Sequence, residues 1–264
     1  MRYFLKRVAM SGEPAMEMLN TLTQEQIIKL AAENPPFNIS VTEEDLDRFA
    51  RNIAAGVDRS ISEEEFKEWY RQQLNKTRLS DAEYRDLLRT GYLSTKMGEY
   101  LAQFVPTQAE QVFVNMIFVE NYAIGTMVKE KYEAGEDFAA LALEHSVDPA
   151  LGEAGGKIGW VPQGVLDPML DRVAFDLDVG GISNPISLDQ QRVVVMMISE
   201  RAAAREIDEP SLAVLKSKVL DDWYGENFSD FEVHFHGFDN GYDSETNAWV
   251  NWQLMRRQQR QVEN

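Results

Sequence analysis

Gly155-Gly156-Lys157-Ile158-Gly159-Trp160 is the run around which the rest of the chain is organised. Two adjacent glycines allow a turn with φ > 0, where most side chains would be strained. The apolar-Gly-Trp that follows reads as a short strand whose glycine lets another backbone approach closely. Upstream, Val112 to Val119 (VFVNMIFV) is an apolar, β-rich run, and Ile124 to Tyr132 and Phe138 to Leu143 repeat at helical spacing. Downstream, Pro168 to Leu177 reads as a short helix carrying Met169, Leu170, Val173 and Phe175, and Val193 to Ile198 (VVVMMI) as a buried strand. The predicted order is strand, helix, helix, short strand, helix, turn, strand.

Between Gln111 and Arg201 these pieces resemble the parvulin (PpiC-type) family of peptidyl-prolyl cis-trans isomerases. The resemblance rests on Gly135-x-Asp137-Phe138, Ser146-x-Asp148, the double-glycine run, Ala174-Phe175-x-Leu177, the Gly-x-Ile-Ser at 180–183 and Asn184-Pro185-Ile186. It implies an α+β fold: a parvulin-like domain, with a small antiparallel four-stranded sheet and flanking helices, inserted in an all-helical lobe. The helical segments on either side are similar in layout to SurA-like and PrsA-like foldases. The expected domains are an N-terminal helical lobe over 1–105, the parvulin-like domain over 106–203, and C-terminal helices over 204–264 that pack on the N-terminal lobe.

Carried over residue by residue, the family's proline-ring pocket falls on Ile158, Leu166 and Leu170, where leucine, methionine and phenylalanine are usual. The acidic or thiol position that faces the substrate carbonyl falls on Asp148, the one catalytic residue the resemblance supplies; Asp before Pro149 is also a frequent turn or helix cap. The family's two histidines fall on Met116 and Val193, and its threonine and serine positions on Leu188 and Gln190. A buried hydrogen-bond network is costly to keep in part, so this joint loss points to an apolar cradle with weak isomerase activity. No cofactor is called for, because isomerisation needs only a site that prefers the twisted amide over the planar one.

The flanks read as helices. Met16, Leu19, Leu22, Ile27, Ile28 and Leu30 lie on one face of a segment that ends before Pro35 and Pro36. Thr42-x-x-Asp45, Ser62-x-x-Glu65 and Ser80-x-x-Glu83 each place a hydroxyl before a first turn and a carboxylate three residues on, the pattern of a capping box. Val105-Pro106 should stop the third of these helices. Ala202 to Asp208 read as a charged connector into a helix over Pro210 to Phe228, Phe231 to Phe235 as a short strand, and Asp239-Asn240-Gly241 as a turn before a last helix from Ser244. That helix is expected to be a packed cap, with a partner-binding or membrane-surface role as the rival. Met1 to Ala9 fits a helix or a strand. A Val-Asn-Gly turn segment, common just before this point in PrsA-like proteins, does not occur, which makes a trimmed chain the expectation.

Composition narrows the partners. Forty-four acidic against 26 basic residues give a formal charge of −18, which repels phosphate backbones, so nucleic acid is excluded as a partner. Cysteine is absent, which removes disulfides and thiolate chemistry. No run nears the roughly eighteen apolar residues of a membrane span, so membrane contact is expected only through an anchor absent from this chain. His234 and His236 share a strand face, but with no further ligand in reach the expectation is no metal, and His145 reads as a polar cap. The resemblance implies a foldase or chaperone acting outside the cytoplasm on unfolded or proline-containing polypeptides. The alternative is a catalytically inactive binding module of the same fold that holds clients or one folded partner.

Overall fold

In a computed structural model the described residues are 2–56, 60–188, 192–235 and 242–262, the last six of these as backbone only. The chain divides into two compact units, Met1–Gln103 with Val219–Asn264, and Phe104–Lys218. In chain order the elements are α1 (Arg2–Ser11), α2 (Ala15–Ala32), α3 (Glu43–Ala55), α4 (Glu63–Thr77), α5 (Asp81–Leu101), β1 (Gln108–Val119), α6 (Tyr122–Glu133), α7 (Phe138–His145) and α8 (Pro149–Glu153). There follow β2 (Lys157–Pro162), α9 (Pro168–Asp176), β3 (Ile186–Ser187), β4 (Val193–Glu206), α10 (Glu209–Asn227) and α11 (Ser244–Val262).

In the helical unit all three predicted capping boxes form. Thr42, Ser62 and Ser80 each accept from the backbone N–H three residues on, while Asp45, Glu65 and Glu83 reach back to the cap's own N–H. These reciprocal bonds satisfy donors that would otherwise be orphaned at α3, α4 and α5, which fixes where each helix starts. The N-terminal segment is a helix, not a strand: Phe4, Leu5 and Val8 of α1 pack with Met18 and Leu19 of α2 and Val250 of α11. Ile28 and Ala32 meet Leu93 and Met97 of α5, with Leu220 and Trp223 of α10 against them. Arg7, buried, is held by both carboxylate oxygens of Glu25 at 2.9 and 2.6 Å and by Tyr3 Oη at 2.9 Å.

The second unit is built on one antiparallel sheet of order β2-β1-β4-β3. β4 does not end at Ile198. It runs to Glu206 through the stretch expected to be a charged connector, because Gln108, Ala109 and Gln111 of β1 pair with it. The Gln111 carboxamide, 2 % exposed, donates to the Arg205 and Glu206 carbonyls at 3.0 Å each, so these ends are fixed by polar bonds that no apolar pattern announces. α8 and the two-residue β3 are too short to show a period. Phe231–Phe235, expected as a strand, forms none: it follows a 3-10 turn at Phe228–Asp230 and pairs with no strand among the described residues. The Asp239-Asn240-Gly241 turn and His236 lie outside the described residues.

Alternation along β1 and β4 gives the sheet two apolar faces. Val112, Val114 and Met116 of β1 and Val194, Met196 and Ile198 of β4 join Val161, Leu170 and Ala174 on the α9 face. Ile117, Val119, Val193 and Val195 join Val128, Phe138, Leu141 and Ala142 on the face covered by α6 and α7.

Candidate functional site

The double glycine holds the site together at its centre. Gly155 and Gly156 take φ +68° and +78°. A Cβ on Gly156 would lie 2.8 Å from the Met116 carbonyl oxygen and 2.9 Å from Phe138 Cε1, and the Met116 N–H donates to the Gly156 carbonyl at 2.7 Å. The close backbone approach is thus made at Gly156. Gly159, to which the sequence reading assigned it, meets nothing within 4 Å and is required for its φ of +115°.

α9 brings Leu170 onto the Met116 face, and both of its ends are fastened. Asp167 caps the N-terminus by accepting from the Met169 N–H at 3.0 Å, ahead of Pro168 at the first helical position. At the other end Arg201 of β4 donates to the Phe175 and Leu177 carbonyls, 2.9 Å each, while its second nitrogen bonds Glu110 at 2.6 Å. The turn before α9 carries Leu166, which packs against the Met116, Leu170 and Met196 cluster, as does Leu188 from the segment after β3. Met116, Leu166, Leu170 and Leu188 are therefore brought to one face, with the first and third buried and the other two half-buried.

The remaining expected residues are placed differently. Ile158 is the extra residue of a bulge in β2: Val114 pairs with Gly159 and Asn115 with Lys157, leaving Ile158 without an opposite number. A bulge re-aims its side chain, and Ile158 is 44 % exposed. Val193 does not share a face with Met116. It packs with Ile117 and Val128 on the opposite side of the sheet, so a histidine pair could not be formed from these two positions. The β4 residues on the Met116 face are Val194, Met196 and Ile198, and the one next to Val193 is Val194, opposite Phe118 in the register. Residues on one face of a strand recur every second position, but which set of β4 joins Met116 is decided by the β1–β4 register, which places Met196 opposite it.

Asp148 is exposed and its Oδ1 accepts from the Leu151 N–H at 3.0 Å, capping α8 with Pro149 at the first helical position. The turn that carries it is tied to β1 through the Val147 N–H, which donates to the Phe118 carbonyl at 2.7 Å. Gln190 lies outside the described residues. His145 ends α7 beside Lys131 and Glu144, His234 lies 3.0 Å from Glu232, and no group of three metal-ligating side chains occurs among the described residues.

A family description, "Rotamase: PPIC-type PPIASE domain", matches residues 119–199. The chain carries a PpiC-type parvulin domain. The match begins just after Met116, so the place of that residue in the site rests on the strand register. Among curated relatives, the chain is 26% identical over 198 residues to a foldase protein PrsA of Oceanobacillus iheyensis, covering 72% of this chain and 62% of that one. It is 35% identical over 95 residues to a PrsA of Caldanaerobacter subterraneus, covering 36% and 30%. Over 77 residues it is 36% identical to the peptidyl-prolyl cis-trans isomerase pin4 of Neurospora crassa, covering 29% and 58%. The chain spans less than two thirds of the length of these relatives. A crystal structure of PrsA from Bacillus anthracis overlaps 92% of this chain and 97% of its own at 17% identity, with a TM-score of 0.46.

This side of the parvulin sheet is thus an apolar cluster closed by α9, Leu166 and Leu188, with no imidazole among its members. Met116, Val194 and Leu188 offer no proton donor or acceptor to stabilise the carbonyl or nitrogen of a twisted amide.

Proposed function

We propose that this protein is a foldase of the peptidyl-prolyl isomerase family, acting outside the cytoplasm on unfolded or proline-containing polypeptides. The client segment lies on the Met116, Leu166, Leu170 and Leu188 face, with Ile158 at its exposed edge and Asp148 beyond the end of β1. The position of the family's second histidine is taken by Val194 in place of Val193. The observation that carries the reading is the convergence of Leu166, Leu170 and Leu188 on Met116 from three separate segments of a parvulin domain. Relatives named foldase, and one named a periplasmic chaperone PpiD that is 33% identical over 91 residues, support the client class and the compartment. Among the described residues no helix is long and apolar enough to cross a membrane.

Isomerase activity is weak in this reading, since desolvation alone acts on the amide. A second reading, holding without isomerising, is favoured by the apolar side chains of Met116 and Val194, buried at 3 % and 0 % exposed, at the positions where the resemblance implies imidazoles. The test is a pair of measurements on the full chain: suppression of aggregation of an unfolded test protein, and cis-trans exchange in an X-Pro tetrapeptide. Suppression together with exchange faster than in buffer, and loss of that exchange in Leu170→Ala, is the expected result. Suppression with exchange equal to buffer selects the holding module. Absence of both overturns the proposal.

A further inference from the structure

In the turn over residues 164–166 the backbone groups of Gly164 and Leu166 are taken up by two side chains from different helices, while the Val165 N–H donates to the Pro162 carbonyl at 3.4 Å. Asp171 of α9, 8 % exposed, accepts from the Gly164 N–H at 2.8 Å and from the Leu166 backbone N–H. Lys218 of α10 donates from Nζ to the Gly164 carbonyl at 2.7 Å and to the Leu166 carbonyl at 3.4 Å. Gly164 itself has φ +90°, and Leu215 Cδ2 lies 3.1 Å from where its Cβ would be, so α10 also closes on the turn by packing.

A turn of three residues has no ladder to define it, and its shape follows whatever satisfies its N–H and C=O groups. Here one carboxylate takes two donors and one ammonium takes two acceptors, each a charge-assisted bond, and such bonds are shorter and stronger than neutral ones. The residue that the turn delivers is Leu166.

We infer that Asp171 and Lys218 are positioning residues for the client face, fixing the 164–166 turn so that Leu166 stands beside Leu170. The inference rests on the client-face reading above and deepens it. It adds that a residue outside the matched family region, on α10, sets the geometry of one wall. Burial pushes the Asp171 carboxyl above its ordinary range, while the Gly164 and Leu166 N–H groups and Lys218 oppose this.

The experiment uses the full chain, an X-Pro tetrapeptide as probe, and the variants Lys218→Met, Lys218→Arg and Leu166→Ala. Lys218 is only half-buried, so the methionine variant keeps the stem and the fold, which the unchanged methyl resonances of Val128 on the far face verify. Lys218→Met is expected to move the Leu166 methyl and Gly164 amide resonances and to weaken peptide binding about tenfold, 1.4 kcal/mol. Lys218→Arg, which can still donate to both carbonyls, restores affinity and resonances together. Peptide affinity within about twofold of wild type in Lys218→Met, or no rescue by arginine, overturns the positioning role while leaving the client face standing. Wild type that binds no peptide sinks the client face itself, and the positioning role falls with it.

Discussion

The two faces of the parvulin sheet are made from alternate residues of the same two strands, and they differ in what closes them. On one, Ile117, Val119, Val193 and Val195 are shut in by Phe138, Leu141 and Ala142 of α7 and Val128 of α6. On the other, the buried row of Val114, Met116, Val194 and Met196 is covered by the short α9 and by half-buried side chains from turns, Leu166 and Leu188 among them. Two regular helices give one face a fixed cover. One short helix and single residues from turns give the other a cover whose pieces can be addressed singly. The contrast teaches that the strands supply apolar burial to both sides in similar measure, and that what distinguishes the sides lies in the segments that cover them.

The sharpest way to break that contrast is to cut the closed face. Ile117→Ala, at a fully buried position, is expected to lower unfolding free energy by about 4 kcal/mol, read by chemical denaturation, while the folded fraction binds an X-Pro peptide as wild type does. Equal loss of affinity in the folded fraction would erase the distinction. Gly156→Ala strikes the joint between faces, since the new Cβ meets both the Met116 carbonyl and the Phe138 ring at a positive φ. A cost of about 3 kcal/mol is expected, with a cost under about 1 kcal/mol showing that the close approach is relieved elsewhere. On the face proposed for clients, Leu166→Ala removes a half-buried side chain and is expected to cost about 1 kcal/mol of stability and about tenfold in peptide affinity, the reverse of the Ile117 ratio.

The smallest effect concerns pH. The Asp171 carboxyl is raised by burial above its ordinary value of 3.8, the Gly164 and Leu166 N–H groups and Lys218 only partly opposing this. The folded state therefore binds this proton more tightly than the unfolded state. The resulting stability is present below the ordinary value and is lost as pH rises through the folded value. Wild type measured against Asp171→Asn should accordingly lose stability as pH rises above 3.8, and a gain over that range would contradict the burial.

Much of this was legible in the sequence, for reasons that differ by residue. The three capping boxes at Thr42, Ser62 and Ser80 are local chemistry and appear where their spacing puts them. The double glycine announced its positive φ, and the strands over Val112–Val119 and Val193–Ile198 announced themselves by apolar content. What the residues did not disclose depends on pairing at a distance. The extension of β4 to Glu206 follows from β1 and the Gln111 carboxamide, the bulge that turns Ile158 outward follows from the β1–β2 register, and the side on which Val193 falls follows from the β1–β4 register. The polar grip of Asp171 and Lys218 on the Leu166 turn joins residues far apart in sequence and of unremarkable type, and no spacing rule reaches it.

The central claim is that one face of the parvulin sheet, and not the other, receives a proline-containing chain. The direct measurement is a titration of the full chain with an X-Pro tetrapeptide, followed through methyl resonances on both sides of the sheet. Saturable shifts at Leu166, Leu170 and Leu188 with none at Val128 or Leu141 are predicted. Shifts confined to the Val128 side, or none on either, would contradict the account.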